Sequence, residues 1–204
     1  MIAVIDYGVG NLFSLCSSLK YLGQDVVVTG DPAVAERCDR LILPGVGAFG
    51  DAAGKLRKNG LAGFVVREAE AGKPLLGVCL GMQLLFEKSY EFGEHEGLGL
   101  LRGEVAPIGP KIPASFKIPH IGWNRLKFPG GRKSVLFKYI SEGDHVYFVH
   151  SYHAEGCGDS VIATAEYGAE LTAAAGLGNV FGTQFHPEKS GEAGLGILKA
   201  FAEM

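Results

Sequence analysis

Cys79 stands between an apolar run and a helical pattern in Gly77-Val78-Cys79-Leu80-Gly81, with a glycine two residues to either side. This is the layout of a nucleophile elbow with sulfur in place of hydroxyl. A sharp strand-to-helix turn forces its central residue into a strained backbone, and only glycines at the flanks let neighbouring chain pass that close. The side chain is then exposed above a sheet at a helix N-terminus, where free N–H groups favour a thiolate and can hold an oxyanion. A cysteine in an apolar run is otherwise an inert buried thiol. An active site therefore needs a base nearby. His186-Pro187-Glu188, after the apolar run Val180 to Phe185, offers one. Extended chain of period two places residues 186 and 188 on one side, and Pro187 biases His186 away from helix. Glu188 is then expected to orient His186, which takes the thiol proton of Cys79 and later protonates a leaving amine.

Leu43-Pro44-Gly45-Val46-Gly47 follows another apolar run, and its unencumbered backbone N–H groups suit an oxyanion hole. A glycine-rich turn of no chemical consequence would look the same. Gln83, four residues past Cys79, falls one helical turn away and suits a substrate contact. His150-Ser151-Tyr152 ends a strand pattern, where its polar groups either face a cleft or cap the sheet. Met82 and Phe86 read as core. His95, His145 and His153 show no ligand spacing and are assigned to the surface. Gly8-Val9-Gly10 begins like a dinucleotide fingerprint, but Phe13 stands where the third glycine belongs, so no nucleotide cofactor is inferred.

The elements that must position these residues alternate. Ile2 to Ile5 reads as a buried strand, and Leu12, Leu15, Cys16, Leu19 and Leu22 as one face of a helix capped by Asn11 and closed by Gly23. Val26 to Val28 is a strand, Asp31-Pro32 opens a short helix, and Leu41 to Leu43 is the next strand. Lys55 to Ala71 reads as one amphipathic helix closed by Gly72. Leu75, Leu76 and Val78 form a fourth strand and Leu80 to Lys88 a helix. Such alternation implies right-handed crossovers and a parallel sheet, with ligands at its carboxyl edge. Beyond about residue 100, prolines interrupt the pattern. There Val146 to Val149, Val161 to Ala165, Thr172 to Ala174 and Val180 to Phe185 read as strands that extend the same sheet, with a hairpin at Tyr167-Gly168 and a closing helix over Glu192 to Glu203.

Composition sets limits on function. The 204 residues carry a formal charge of −3 with no basic stripe, which argues against nucleic acid. No apolar run approaches the length that spans a bilayer, and Met1 to Gly8 has no signal-peptide pattern, so a cytoplasmic protein without a membrane partner is expected. Cys16, Cys38, Cys79 and Cys157 lack metal or disulfide spacing and read as free thiols, with no metal and no other cofactor expected.

Gly77-Val78-Cys79-Leu80-Gly81-Met82-Gln83 taken with Gln184-Phe185-His186-Pro187-Glu188-Lys189-Ser190 closely resembles the class I (triad) glutamine amidotransferases. Asp6-Tyr7-Gly8-Val9-Gly10-Asn11, Pro44-Gly45-Val46-Gly47 and Pro119-His120-Ile121-Gly122-Trp123-Asn124 narrow the likeness to one branch of that family. Its members are the glutaminase subunits of the histidine-pathway imidazole glycerol phosphate synthases. The likeness runs through nearly the whole chain, with Ile121 standing where methionine is frequent.

The resemblance implies one glutamine amidotransferase domain over residues 1–204, with a flavodoxin-like, mostly parallel mixed α/β sheet and helices on both faces. It implies attack by Cys79 on the side-chain amide of L-glutamine, with His186 and Glu188 completing a triad. An oxyanion would be held by the Val46 and Gly47 region with Leu80 N–H, and the substrate by Gln83, His150, Ser151 and Tyr152. It places Asn11, Trp123, Asn124 and Lys189 toward a (β/α)₈-barrel synthase subunit in a heterodimer, to which ammonia is passed. A glutaminase of another pathway, and a cysteine peptidase or esterase on a similar sheet, are the alternatives.

Overall fold

The computed structural model describes all of residues 1–204. Ile2–Ile5 (β1), Leu12–Tyr21 (α1), Val26–Thr29 (β2), Pro32–Ala35 (α2), Arg40–Leu43 (β3), Phe49–Lys58 (α3), Leu61–Glu70 (α4), Leu75–Val78 (β4) and Leu80–Leu84 (α5) make the alternating half. The remainder comprises Lys88–Ser89 (β5), His95–Glu96 (β6), Glu104–Pro107 (β7), His120–Arg125 (β8), His145–His150 (β9), Tyr152–Glu155 (β10), Val161–Glu166 (β11), Glu170–Leu177 (β12), Val180–Thr183 (β13) and Gly191–Ala202 (α6).

The main sheet has seven strands in the order β11-β12-β13-β4-β3-β1-β2. From β13 to β2 the neighbours run parallel, and β12 and β11 add an antiparallel edge. Each central strand is apolar on both sides because each side is covered. Ala3 and Ile5 of β1 enter one core cluster with Leu41 and Leu43, packed against Phe49, Leu56, Phe64 and Val65 of α3 and α4. Ile2, Val4 and Ile42 enter the other, against Leu15 and Leu19 of α1 and Ile197, Leu198 and Phe201 of α6. No helix is long and apolar enough to cross a membrane.

Several sequence expectations are corrected. The helix expected over 55–71 is two helices, broken at Asn59-Gly60, where Gly60 takes φ +70°. Both halves face the same core, so the apolar period runs unbroken across the turn that the glycine makes. The helix after Cys79 ends at Leu84 rather than reaching Lys88, because Glu87 and Lys88 turn away to pair with Gly103 and Glu104. Asn11 precedes α1 but does not cap its backbone; its amide goes to Ser14 Oγ at 3.2 Å. In the second half only β11, β12 and β13 join the main sheet. β10-β7-β5-β6 and β8-β9 form two smaller sheets, built from short strands that irregular, proline-broken sequence conceals.

Candidate active site

β4 and β13 are parallel neighbours with Val78 opposite Thr183, so the residues that follow them leave the sheet side by side. Cys79 sits at that exit with φ +55° and ψ −111°, a conformation that side-chain-bearing residues rarely hold and that here is pinned by Cys79 N–H donating to Thr183 O at 2.7 Å. The flanking glycines make this turn possible. A Cβ on Gly77 would lie 2.6 Å from Gly81 O, and one on Gly81 would overlap the Leu43 carbonyl oxygen.

From β13 the chain runs on through Gln184 and Phe185 to His186, whose N–H donates to Tyr147 O at 3.0 Å. His186 Nδ1 and Glu188 Oε1 are 2.8 Å apart, and both side chains are only 3% exposed. They converge by a different route from the extended one expected. Pro187–Lys189 is a 3₁₀ turn, tied by Ser190 Oγ donating to His186 O at 2.6 Å. With Nδ1–H directed at the carboxylate, the other ring nitrogen is left for sulfur. Burial pushes the imidazole pKa down, but hydrogen bonds to Cys79 and Glu188, together with their negative charges, outweigh it and raise the value to about 9.

The loop after β3 completes the rim. Tyr7 Oη donates to Pro44 O at 2.7 Å, and Gly45 passes so close that a Cβ there would stand 2.9 Å from Tyr7 Oη, Gly81 N and Leu80 Cβ. Neither Val46 nor Gly47 N–H is taken up by a hydrogen bond within the chain. Leu80, first residue of α5, has one of the N–H groups that a helix start leaves without an intrahelical partner. The arrangement can therefore present a sulfur nucleophile, an imidazole that holds or releases a proton, and backbone donors for a developing oxyanion.

A cavity of about 350 Å³ opens over these groups. Val46, Gly47, Cys79, Leu80, Gln83, His150, Ser151, Tyr152 and His186 all line it, as does Lys189, while Glu188 stands behind His186. Asn11, Trp123 and Asn124 do not. Trp123 is more than half exposed, 6.1 Å from Tyr147, over whose ring Lys189 Nζ lies at 5.9 Å, so Trp123 and Lys189 share one outer rim. Asn11 is exposed on its own helix start, and the Asn124 amide is engaged by Glu166 O at 2.7 Å.

Sequence reasoning missed four residues here. Glu91 lines the cavity and accepts Phe49 N–H at 2.6 Å, which fixes its carboxylate at the α3 N-terminus. Gln184 and His120 are buried in polar contacts beside the cavity, and Tyr7 anchors the Pro44 loop. Tyr7, His120 and Gln184 each had a signal, since they stand in the stretches that carry the family resemblance; Glu91 had none. His153, assigned to the surface, is 2% exposed in β10, opposite Ala106. No group of three His, Cys, Asp or Glu side chains is arranged to hold a metal ion.

Known proteins share this construction. A glutamine amidotransferase class-I family profile matches residues 3–203. A Geobacillus kaustophilus protein named imidazole glycerol phosphate synthase subunit HisH is 52% identical over 98% of this chain and 95% of its own. The Lactococcus lactis protein of the same name is 49% identical over 99% and 98%. Among solved structures, a glutamine amidotransferase superposes with TM-score 0.75 at 22% identity over 98% of each chain. PurLQS from Thermotoga maritima does so with TM-score 0.73, also at 22% identity, over 99% of this chain and 97% of that one; at such identities the likeness concerns the fold. By profile, by full-length relatives and by the strand order that brings Cys79 beside His186, the chain belongs to the class-I glutamine amidotransferase family.

Proposed function

We propose that this chain is the glutaminase subunit of an imidazole glycerol phosphate synthase, acting as a single glutamine amidotransferase domain in the cytoplasm. The observation that carries the chemistry is the strained Cys79 facing a His186 whose other nitrogen is bonded to Glu188. The pathway assignment is supported by relatives about half identical along their whole length, all bearing the HisH subunit name.

Cys79 Sγ attacks the side-chain amide carbon of glutamine, and the negative charge that develops on oxygen is met by Leu80 N–H and the Val46–Gly47 backbone. The carbon–nitrogen bond breaks as imidazolium His186 gives its proton to nitrogen, releasing ammonia and leaving a γ-glutamyl thioester. Water then attacks the thioester while His186 takes its proton, the carbon–sulfur bond breaks, and glutamate leaves with the thiolate restored. Gln83 and the His150-Ser151-Tyr152 stretch line the substrate cavity. Glu91, an acid on the same wall, meets the substrate α-ammonium group.

Free ammonia is mostly protonated at neutral pH and is then no nucleophile, so its use requires transfer shielded from water. A (β/α)₈-barrel synthase subunit docked as a heterodimer over the outer rim of Trp123 and Lys189, and reaching Asn11 and Asn124, supplies that shield. It uses the ammonia to form imidazole glycerol phosphate and an aminoimidazole carboxamide ribotide.

Glutamine hydrolysis measured with and without the barrel protein and its ribotide ligand tests this reading. Glutamate is expected to form rapidly only with both present, and Cys79→Ala is expected to abolish it while leaving folding and complex formation intact. Turnover of peptides or esters, or unchanged glutaminase activity in Cys79→Ala, rejects it.

A further inference from the structure

A chain of polar contacts runs from strand β8 to the reactive sulfur, and the donor direction at each step is fixed by the one before. The Tyr152 carbonyl can only accept, so His150 Nδ1 at 2.8 Å and Gln83 Nε2 at 3.2 Å both donate to it. A neutral His150 then carries its lone pair on Nε2, and His120 Nδ1, 3.0 Å away, must donate there. Burial favours the neutral ring in both histidines. Since the Gln83 NH₂ faces Tyr152 O, its other proton goes to Gln184 Oε1 at 3.0 Å. With its oxygen so engaged, the wholly buried Gln184 amide must turn its NH₂ toward Cys79 Sγ, at 3.8 Å, within range for a donor to sulfur.

We propose that Gln184 is a further catalytic residue, a side-chain N–H donor to Cys79 Sγ that favours the thiolate. An N–H aimed at sulfur lowers the energy of the anion relative to the thiol and to the neutral thioester sulfur. It therefore assists at two points: when the thiol loses its proton before attack, and when the carbon–sulfur bond breaks and its electron pair returns to sulfur. Helix α5 is too short for its dipole to do this alone. His186 approaches the sulfur as proton carrier, whereas Gln184 offers a donor that never gives its proton away. The assignment rests on Cys79 being the nucleophile.

The test reads the sulfur directly, without glutamine or partner. The rate of Cys79 alkylation by iodoacetamide is followed from pH 5 to 10 in the parent protein and in Gln184→Met, with a Cys79→Ala control to subtract the other three thiols; thermal unfolding is recorded alongside. Methionine keeps the length and removes the N–H. The midpoint of the alkylation profile is expected to move to higher pH in Gln184→Met, with the rate at pH 7 falling about three- to tenfold as the thiolate fraction drops. An unchanged midpoint with a lowered melting temperature would assign Gln184 to packing and overturn the proposal. Gln184→Asn, which keeps a buried amide but withdraws it from sulfur, is read in the same way if Gln184→Met does not fold; failure of both to fold overturns the catalytic assignment. A parent profile with no reactive Cys79 would instead reject the nucleophile itself, an outcome separable from any shift between folded variants.

Discussion

At Cys79, His186 and Glu188, three side chains make each other's states. Glu188 is buried against Nδ1, and the imidazole it faces is held protonated up to about pH 9, above the ordinary value near 6.5. The sign follows. The stabilisation from this raised pKa is complete below about pH 6.5 and is lost as pH rises through about 9. The proton that His186 gives to ammonia in the proposed mechanism is lost over the same upper range. Glutamine hydrolysis by the complex is therefore expected to fall as pH rises through about 9. In Glu188→Gln the ring loses its anionic partner, so that decline is expected at lower pH, with kcat reduced by about 10²-fold or more. A pH–rate profile unmoved by Glu188→Gln would remove Glu188 from the triad. The three residues themselves were legible because each sits in a short segment with its own local logic: glycines around a strained turn, a proline after a histidine. Glu91 was not, because its place arises from a contact across 42 positions of sequence that no local pattern encodes.

The elements that hold the site differ in how they use glycine, and that difference is measurable. At Gly60 the backbone takes φ +70° with nothing within 4 Å of where a Cβ would be, so Gly60→Ala carries only the left-handed penalty. It is expected to cost about 1 kcal/mol of stability, leaving glutaminase activity unchanged. At Gly81 the added methyl meets the Leu43 carbonyl, which cannot move without shifting β3 and the Pro44 loop. Gly81→Ala is expected to destabilise by about 3 kcal/mol or more and to abolish hydrolysis. Thermal melts of the two variants separate a hinge glycine from an elbow glycine, and equal losses would contradict the assignment. Sequence patterning located β1, β3, β4 and the elbow glycine Gly81 correctly, since buried parallel strands and a glycine-flanked turn have strong local signatures, but it passed over Gly60. It merged α3 with α4 and missed β7, β8 and β10, because an apolar stripe does not register a turn that keeps the same face inward. Nor does a strand of four to six residues between prolines and turns differ in composition from loop.

Across the whole molecule, three buried histidines are built into the strands of the two small sheets, and all are held neutral. Burial presses His150 to about 3, and His120 and His153 to about 4. His153 is the least supported: neither ring nitrogen has a hydrogen-bond partner, while Lys111 opposes its protonation and Glu155, 3.7 Å away, favours it. In the unfolded chain each titrates near 6.5, so between pH 6.5 and 4 the unfolded state binds more protons than the folded one. Their contribution to stability is whole above about pH 6.5 and is lost as pH falls toward 4, in the opposite sense to His186. The protein is therefore expected to melt at steadily lower temperature between pH 7 and 4.5. In His153→Leu the buried imidazole is gone and no proton is taken up there on unfolding. Its drop in melting temperature over that interval is expected to be roughly 5 °C smaller than the parent's, with glutaminase activity at neutral pH retained because His153 does not line the cavity. Melting curves of equal pH slope for the two proteins would mean that His153 is already charged in the fold, and would return the acid response to other groups.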